Sequence, residues 1–246
     1  MSQPVGRKRH WGRWAIGILA AIAVLTVGGP FIYIHFIEGT APAPLSLRNQ
    51  PTASTGAGGA GSAPSGSGVD ESTSVDGQWK VTTGSQAGYR VTEVLFGQNN
   101  TAVGRTSSVT GSINIQGTNV SAGDFTVDMT TVKSDRSQRD NQFHGRIMDT
   151  ASFPTATFTL SKPIALGTVP ADGATVNEPA TGNLTLRGTT RAVTFQVQAR
   201  RSGSTIAVSG SIPVMFANWN IPNPSFGPVM TEDHGTMEFL LNFARG

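Results

Sequence analysis

Apolar side chains fall on every second position through most of residues 75–246. In Asp124–Thr130, Phe125, Val127 and Met129 alternate with polar neighbours, and in Thr155–Ser161, Ala156, Phe158 and Leu160 do the same. Val193, Phe195, Val197 and Ala199 share one side of Val193–Arg200. Ile206, Val208 and Ile212 share a side of Thr205–Ile212, and Met237, Phe239, Leu241 and Phe243 share a side of Thr236–Phe243. Ile113 with Ile115 and Leu184 with Leu186 are shorter instances, and Gln78–Thr83 and Gly88–Phe96 read as two more strands. Successive side chains of a strand point to opposite faces, so a period of two predicts strands with one apolar and one wet face. The pattern predicts about eight or nine such strands, separated by Gly, Pro, Asn and Asp turns and paired antiparallel. Arg136–Asp149, RSQRDNQFHGRIMD, lacks the alternation and is polar enough for a surface helix, a short cap that interrupts the strands. A closed barrel with this cap fits the elements, and a two-sheet sandwich fits the alternation almost as well.

The pattern is different before residue 75. Trp14 to Ile37 reads WAIGILAAIAVLTVGGPFIYIHFI, with no Asp, Glu, Lys or Arg. As a helix this stretch spans about 36 Å, against a hydrocarbon core of about 30 Å. Gly28, Gly29 and Pro30 weaken its centre but are tolerated in membrane helices, and Trp11, Trp14 and Tyr33 suit the two interfaces. A cleaved signal peptide is the competing reading. Its apolar region runs to about 7–15 residues, and Pro44 directly after Ala41-Pro42-Ala43 opposes cleavage there. We expect a basic tail over 1–13, a single membrane helix over 14–37, a flexible linker over 38–74 and a folded domain over 75–246. The linker contains QPTASTGAGGAGSAPSGSG, Gln50 to Gly68, which cannot bury enough apolar surface to offset ordering.

Charge then orients the chain. Arg7, Lys8, Arg9 and Arg13 give residues 1–14 a net +4, residues 15–74 carry −2, and residues 75–246 carry only +1. Basic residues before the apolar stretch place the N-terminus in the cytoplasm and the C-terminal domain outside, on a single-pass cell-membrane protein. The overall pI of 9.7 therefore reflects a tail. A nearly neutral domain offers a phosphate backbone little, and no nucleic-acid partner is expected. The chain has no Cys, which excludes disulfides, thiol nucleophiles, Cys-based metal sites and lipid anchors attached through Cys.

Several segments of the domain resemble the YceI-like family. They are Gln78-Trp79-Lys80-Val81, SQAGYRVTE from Ser85 to Glu93, Gly104-Arg105-Thr106, Val109-Thr110-Gly111, Lys133-Ser134-Asp135 and Arg139-Asp140. Ile147-Met148, Phe153 through Phe158, TGNLTLRGTTR from Thr181 to Arg191, and Gly235 through Phe239 continue the series. The likeness covers nearly all of residues 76–244 and rests on the order and spacing of these segments. It implies a lipocalin-like, extended antiparallel β-barrel whose tunnel holds a polyisoprenoid or similar amphiphilic lipid, in a secreted or periplasmic protein. The membrane segment and Gly-rich linker depart from that pattern.

On this reading the ligand is an isoprenoid lipid or a quinone tail. The apolar lining is Phe125, Val127, Met129, Phe158, Leu160, Leu184, Leu186, Phe195, Val197, Ile206, Val208, Met237, Phe239 and Leu241. The same alternation would also fill a solid barrel core, leaving a ligandless envelope module that binds a protein on its outer face. Arg139 and Asp140 are either a polar pair at the tunnel mouth or a salt-bridged fixture between helix and barrel. Glu93 reads as a buried carboxylate paired with Arg90, Arg105 or Arg187. No catalytic residue, resident cofactor or metal site is expected. Ser85 and Ser134 lack a G-x-S-x-G context, His144 and His234 have no ligand spacing, and Glu93 has no partner acid or base. Asp233-His234-Gly235 reads as a turn before the last strand.

Overall fold

The alternating segments pair into one antiparallel sheet that closes on itself. The computed structural model describes Ile16, Ile18 and Ile22 and residues 41–49, 74–95, 97–227 and 229–246. In chain order its strands are β1 (Gly77–Val81), β2 (Gln86–Leu95), β3 (Gln98–Thr106), β4 (Val109–Gln116), β5 (Asn119–Asp128) and β6 (Lys133–Ser134). A helix α1 (Ser137–Gln142) follows. After it come β7 (Thr155–Leu160), β8 (Ile164–Ala165), β9 (Thr175–Leu186), β10 (Thr189–Ser202), β11 (Thr205–Met215), β12 (Val229–Thr231) and β13 (His234–Arg245). Eight of them, in the order β1-β4-β5-β7-β9-β10-β11-β13, form a ring that closes where Arg245 lies opposite Trp79 and Phe243 opposite Val81. This is the expected closed barrel rather than a sandwich, and it carries one short helix.

The shape follows from β13. One edge pairs with β11 along its length, from His234 opposite Met215 to Ala244 opposite Thr205. The other edge is shared between Thr236–Leu240 on β2 and Phe243–Arg245 on β1. The barrel therefore has two halves. The far half is walled by β1 and β4 and packs Trp79, Ile113, Ile115, Ile206, Leu241 and Phe243. The mouth half is widened by β2 and β3, with β6 and β12 added at their edges, and packs Phe143, Met148, Phe216, Trp219 and Ile221. Between β9 and β10 the chain reverses on Arg187 (φ 45°) and Gly188 (φ 72°). Two positive-φ residues give a tight turn whose twist matches that of the strands. A Cβ on Gly188 would also come within 2.6 Å of the Phe153 ring.

Some elements differ from the expected ones. β3, QNNTAVGRT, opens on polar residues and shows little alternation, yet it pairs with β2 from Ala87–Thr106 to Leu95–Gln98. β9 runs twelve residues through Pro179. Pro179 lies opposite Gln196 of β10, while β7 meets β9 just from Gly182 to Thr185, so the missing N–H disrupts no second ladder. The strand expected over Asp124–Thr130 ends at Asp128, whose carboxylate accepts from Thr130 N and caps a 3-10 turn at Met129–Thr131. Within Arg136–Asp149, α1 has no buried residue, and the chain then widens into a π-turn over Phe143–Ile147 that buries Phe143. His234 lies in β13 rather than in a turn.

The first part of the expected linker also differs. Ala41–Asn49 lies along the outer wall of the barrel as a strap, with Leu47 buried against Ala207 and Leu240. The expected membrane helix over 14–37 falls almost wholly outside the described residues. Among the described residues, no helix is long and apolar enough to cross a membrane.

Candidate functional site: a two-part cavity within the barrel

Inward-facing side chains do not fill the barrel. Two adjoining cavities remain, one of about 180 Å³ in the far half and one of about 570 Å³ in the mouth half. Ala87, Val127 and Met237 line both. Phe125, Phe158, Leu160, Leu184, Phe195, Val197, Ile206, Val208, Phe239 and Leu241 line the far cavity, and Met129 and Leu186 the larger one. The alternation thus brings all fourteen apolar candidates to the hollow interior, Met129 from its 3-10 turn rather than from a strand. Edge-to-face contacts of Phe158 with Phe195 (5.4 Å) and Phe195 with Phe239 (5.9 Å) hold the rings in place.

Polarity enters at the mouth. Glu93, Arg136, Gln138, Arg139 and Gln142 line the larger cavity, which reaches exposed residues at Gln138 on α1 and Phe226 in the loop before β12. Arg139 donates to Glu93 Oε1 at 3.1 Å and to Asp135, so it ties α1 to β2. Asn100 Nδ2 also donates to Glu93 Oε1, at 2.8 Å. Burial works against the Arg139 charge, but Glu93 and Asp135 outweigh it and raise the guanidinium above its usual range. Tyr89 stacks on Phe143 at 5.0 Å. Burial pushes its phenol well above the usual value, although Arg139 opposes the shift. Asp140 does not line the cavity. Its carboxylate accepts from Ser134 N (2.8 Å) and Ser134 Oγ (2.7 Å) and so fixes the start of the cap.

The expected partners of Glu93 are corrected by this geometry. Arg90 and Arg105 pair instead with Glu238, at 3.2 and 2.7 Å. Arg90, Arg105 and Glu238 meet because Gly88 of β2 lies opposite both Glu238 of β13 and Arg105 of β3. Glu238 is only 4 % exposed and sits on the outer face of β13, where Leu45 N donates to it at 3.4 Å. Arg187 turns away and donates to Asn220 O at 2.6 Å.

Sequence reasoning missed Tyr89, Phe143, Phe216 and Trp219 at the mouth end, and Glu238. The spacing of Phe143, Ile147 and Met148 in an otherwise polar stretch was the available signal for the π-turn. Glu238 carries no local signal, since its partners are 133 and 148 residues away in sequence. Among the described residues, no three His, Asp or Glu side chains gather as a metal-ligand set.

Comparison with known proteins places this geometry. The profile of the YceI-like domain matches residues 79–243. Among curated proteins, none matches the sequence significantly. Among solved structures, a polyisoprenoid binding domain from Saccharophagus degradans, implicated in plant cell wall breakdown, aligns with a TM-score of 0.56 at 16% identity. That alignment covers 69% of this chain and 99% of the other and shows a shared fold. BcnA of Burkholderia cenocepacia aligns over 63% of this chain and 95% of its own, at 22% identity and a TM-score of 0.48. A Campylobacter jejuni YCEI protein aligns over 56% and 83%, at 15% identity and a TM-score of 0.43.

Proposed function

The chain belongs to the YceI-like domain family, and from that premise we propose that it is a membrane-tethered, extracytoplasmic binding protein for a long isoprenoid-like lipid. The ligand is a quinone tail or a polyprenyl carrier, held or shuttled inside the barrel. The observation that carries this reading is the hollow interior, lined along its length by apolar side chains, with a polar cluster of Glu93, Arg136, Gln138, Arg139 and Gln142 at the mouth and Glu178, Arg200 and Arg201 bordering the far cavity. The larger cavity, about 570 Å³, falls in the usual range of roughly 300–1,000 Å³ for ligand pockets. A chain of about 20 carbons gains on the order of 10 kcal/mol or more on burial, at about 0.8 kcal/mol per CH₂. Association costs of about 4–15 kcal/mol leave room for micromolar or tighter binding. Polar groups at the mouth suit the head of an amphiphile whose tail lies in the far half. A solid barrel that works only through its outer face would not leave this space.

The test uses residues 41–246, which include the barrel and its strap, purified without detergent, extracted with organic solvent and analysed by lipid mass spectrometry. A prenyl-chain lipid should be recovered in near-stoichiometric amount. Gly123 lines the far cavity, and a Cβ there meets neighbours only at ordinary contact distances of 3.5 Å and beyond. Gly123→Leu should therefore fill part of the far half, shift the recovered lipid to shorter chains and leave the melting temperature little changed. Excluding one isoprene unit of five carbons costs about 4 kcal/mol, on the order of a thousandfold in affinity. An empty barrel that also rejects polyprenyl probes refutes the proposal.

A further inference from the structure

The strap has a direction. Arg90 donates to Pro42 O at 2.7 Å, Arg105 donates to Ala43 O, Leu45 N donates to Glu238, and Arg200 donates to Leu47 O at 3.3 Å. Arg90 lies opposite Thr236, near the start of β13, whereas Arg200 lies opposite Ala207, which itself lies opposite Asn242 near the end of β13. The strap therefore runs from the mouth half towards the far half. Ala41 is therefore at the end of the strap nearer the mouth.

Among the described residues of the barrel, the mouth also carries the most exposed large apolar side chains. Phe226 is 57% exposed and Met230 63%, on the two arms of a short hairpin bridged at Phe226–Val229. The hairpin forms one lip of the larger cavity, through Pro224, Phe226 and Val229. Arg146 holds its base by donating to Asn223 O (2.9 Å) and Pro224 O (3.0 Å). Large apolar groups held in the open at the entrance to an apolar cavity mark a surface that meets something apolar.

We propose that the strap holds the barrel mouth-down on the bilayer, with Phe226 and Met230 seated in the interfacial layer so that a lipid passes between membrane and cavity without crossing water. The proposal rests on the reading of residues 14–37 as a membrane span. Its lengths agree. Met230 lies opposite Val94, four residues along β2 from Arg90, or about 13 Å at roughly 3.3 Å per residue. From Ile37 to Ala41 is also four residues, with a reach of at most about 14 Å. A bilayer surface level with the lip is just within reach of a chain leaving the strap, and one at the far end is not. Exposed Glu232 and Asp233 beside the lip offset the exposed Arg146 at its base, so the contact is carried by the apolar side chains rather than by attraction to anionic headgroups.

The test uses the full chain, which has no Cys of its own. Met230→Cys in the lip and Ser204→Cys in the exposed turn at the far end are each labelled with bimane. The proteins are reconstituted into phosphatidylcholine vesicles doped with brominated phosphatidylcholine. Quenching at 230 should exceed that at 204 by about twofold or more, because interfacial side chains enter about 5–10 Å into the boundary. Inserting about 12 Gly/Ser residues between Ile37 and Ala41 leaves the strap and barrel untouched but lengthens the reach, and should remove the difference. Equal quenching in the parent chain, stronger quenching at 204, a difference that survives the insertion, or a chain that floats free of the vesicles each overturns the proposal. Lipid extracted from the same preparations separates the two readings. Retained lipid with inverted quenching refutes the orientation alone, and strong quenching at 230 with an empty barrel refutes only the lipid.

Discussion

The two halves of the barrel are built from the same alternating strands, yet they differ in width and in polarity. The far half closes tightly around Trp79 and Phe243, 2% and 1% exposed, and leaves about 180 Å³. The mouth half leaves about 570 Å³ and admits Tyr89, Glu93 and Arg139 to the wall. The difference arises where the alternation is interrupted. The far half is ringed by paired strands whose inward positions are mostly apolar, with Glu178 of β9 and Arg201 of β10 bordering its cavity. At the mouth, α1, the π-turn and the loop before β12 cover the opening, and α1 brings Arg139 to the wall beside Glu93, which β2 itself turns inward. Strand periodicity makes a sleeve for hydrocarbon, and the interruptions give it a distinct polar end.

The comparison can be broken most strongly by truncating one large apolar side chain in each half. Phe243 is fully buried among Phe125, Trp79 and their neighbours, with Phe125 edge-on at 5.9 Å. Phe243→Ala should lower unfolding free energy by about 3–5 kcal/mol, the range for deleting an aromatic ring from a packed core. Met129 in the mouth half already borders the larger cavity. Met129→Ala should cost about 2 kcal/mol, near the low end for such truncations, because the lost atoms have fewer packed partners. Urea unfolding of both variants reads the difference. Equal losses would mean that the halves are equally well packed and that the wider cavity has no mechanical consequence.

The far half was the more legible in sequence. Phe125, Phe158, Phe195, Phe239 and Leu241 stand on strands whose alternation assigns their faces without any knowledge of partners. The closed ring was one of two architectures that the alternation allowed. Barrel and sandwich differ only in whether β1 meets β13, a pairing between residues more than 160 apart in sequence. β3 was not legible because its strand character comes from pairing with β2 rather than from its own residues. Glu93 was recognised as a paired carboxylate but given the wrong partners. The nearby arginines in sequence face a different side of the sheet, and Arg139 arrives on a helix whose docking has no periodic signature. The strap was hidden for a similar reason. APAPLSL has the composition of a linker, and its order comes from an outer wall that presents Arg90, Arg105, Glu238 and Leu240.

A smaller effect is expected where the two halves differ in charge. Glu93→Gln keeps the shape but removes the negative charge that accepts from Arg139 and Asn100. Asp135 still accepts from Arg139, so the guanidinium is not left without a partner. The loss should be about 1–2 kcal/mol, at the lower end for a hydrogen bond to a charged group. It should appear first as faster hydrogen exchange in Ser137–Ile147, because the pair ties α1 to β2. The far half should keep its protection. Uniform loosening of the whole barrel would show that the cap and sleeve unfold as one unit.

The smallest expected effect sits on the rim of the mouth. His234 Nδ1 lies 3.0 Å from Asp233 Oδ1, and Nε2 lies 3.4 Å from Glu232 Oε2. The hydrogen bond to Asp233, with the charges of Glu232 and Asp233, raises the imidazole above its ordinary 6.5, although desolvation opposes the shift. A folded-state value above the unfolded one means that the protonated form is favoured in the native protein. Its contribution to stability is complete below the unfolded value and is lost as pH rises through the raised folded value. The ring is exposed, so salt should weaken the contribution. A proton NMR titration of the His234 ring should give a midpoint above 6.5 that falls towards 6.5 in Asp233→Asn. A midpoint that stays where it is in Asp233→Asn would show that the neighbouring carboxylate does not hold the proton on the ring, and that the rim carries no pH-dependent contact of its own.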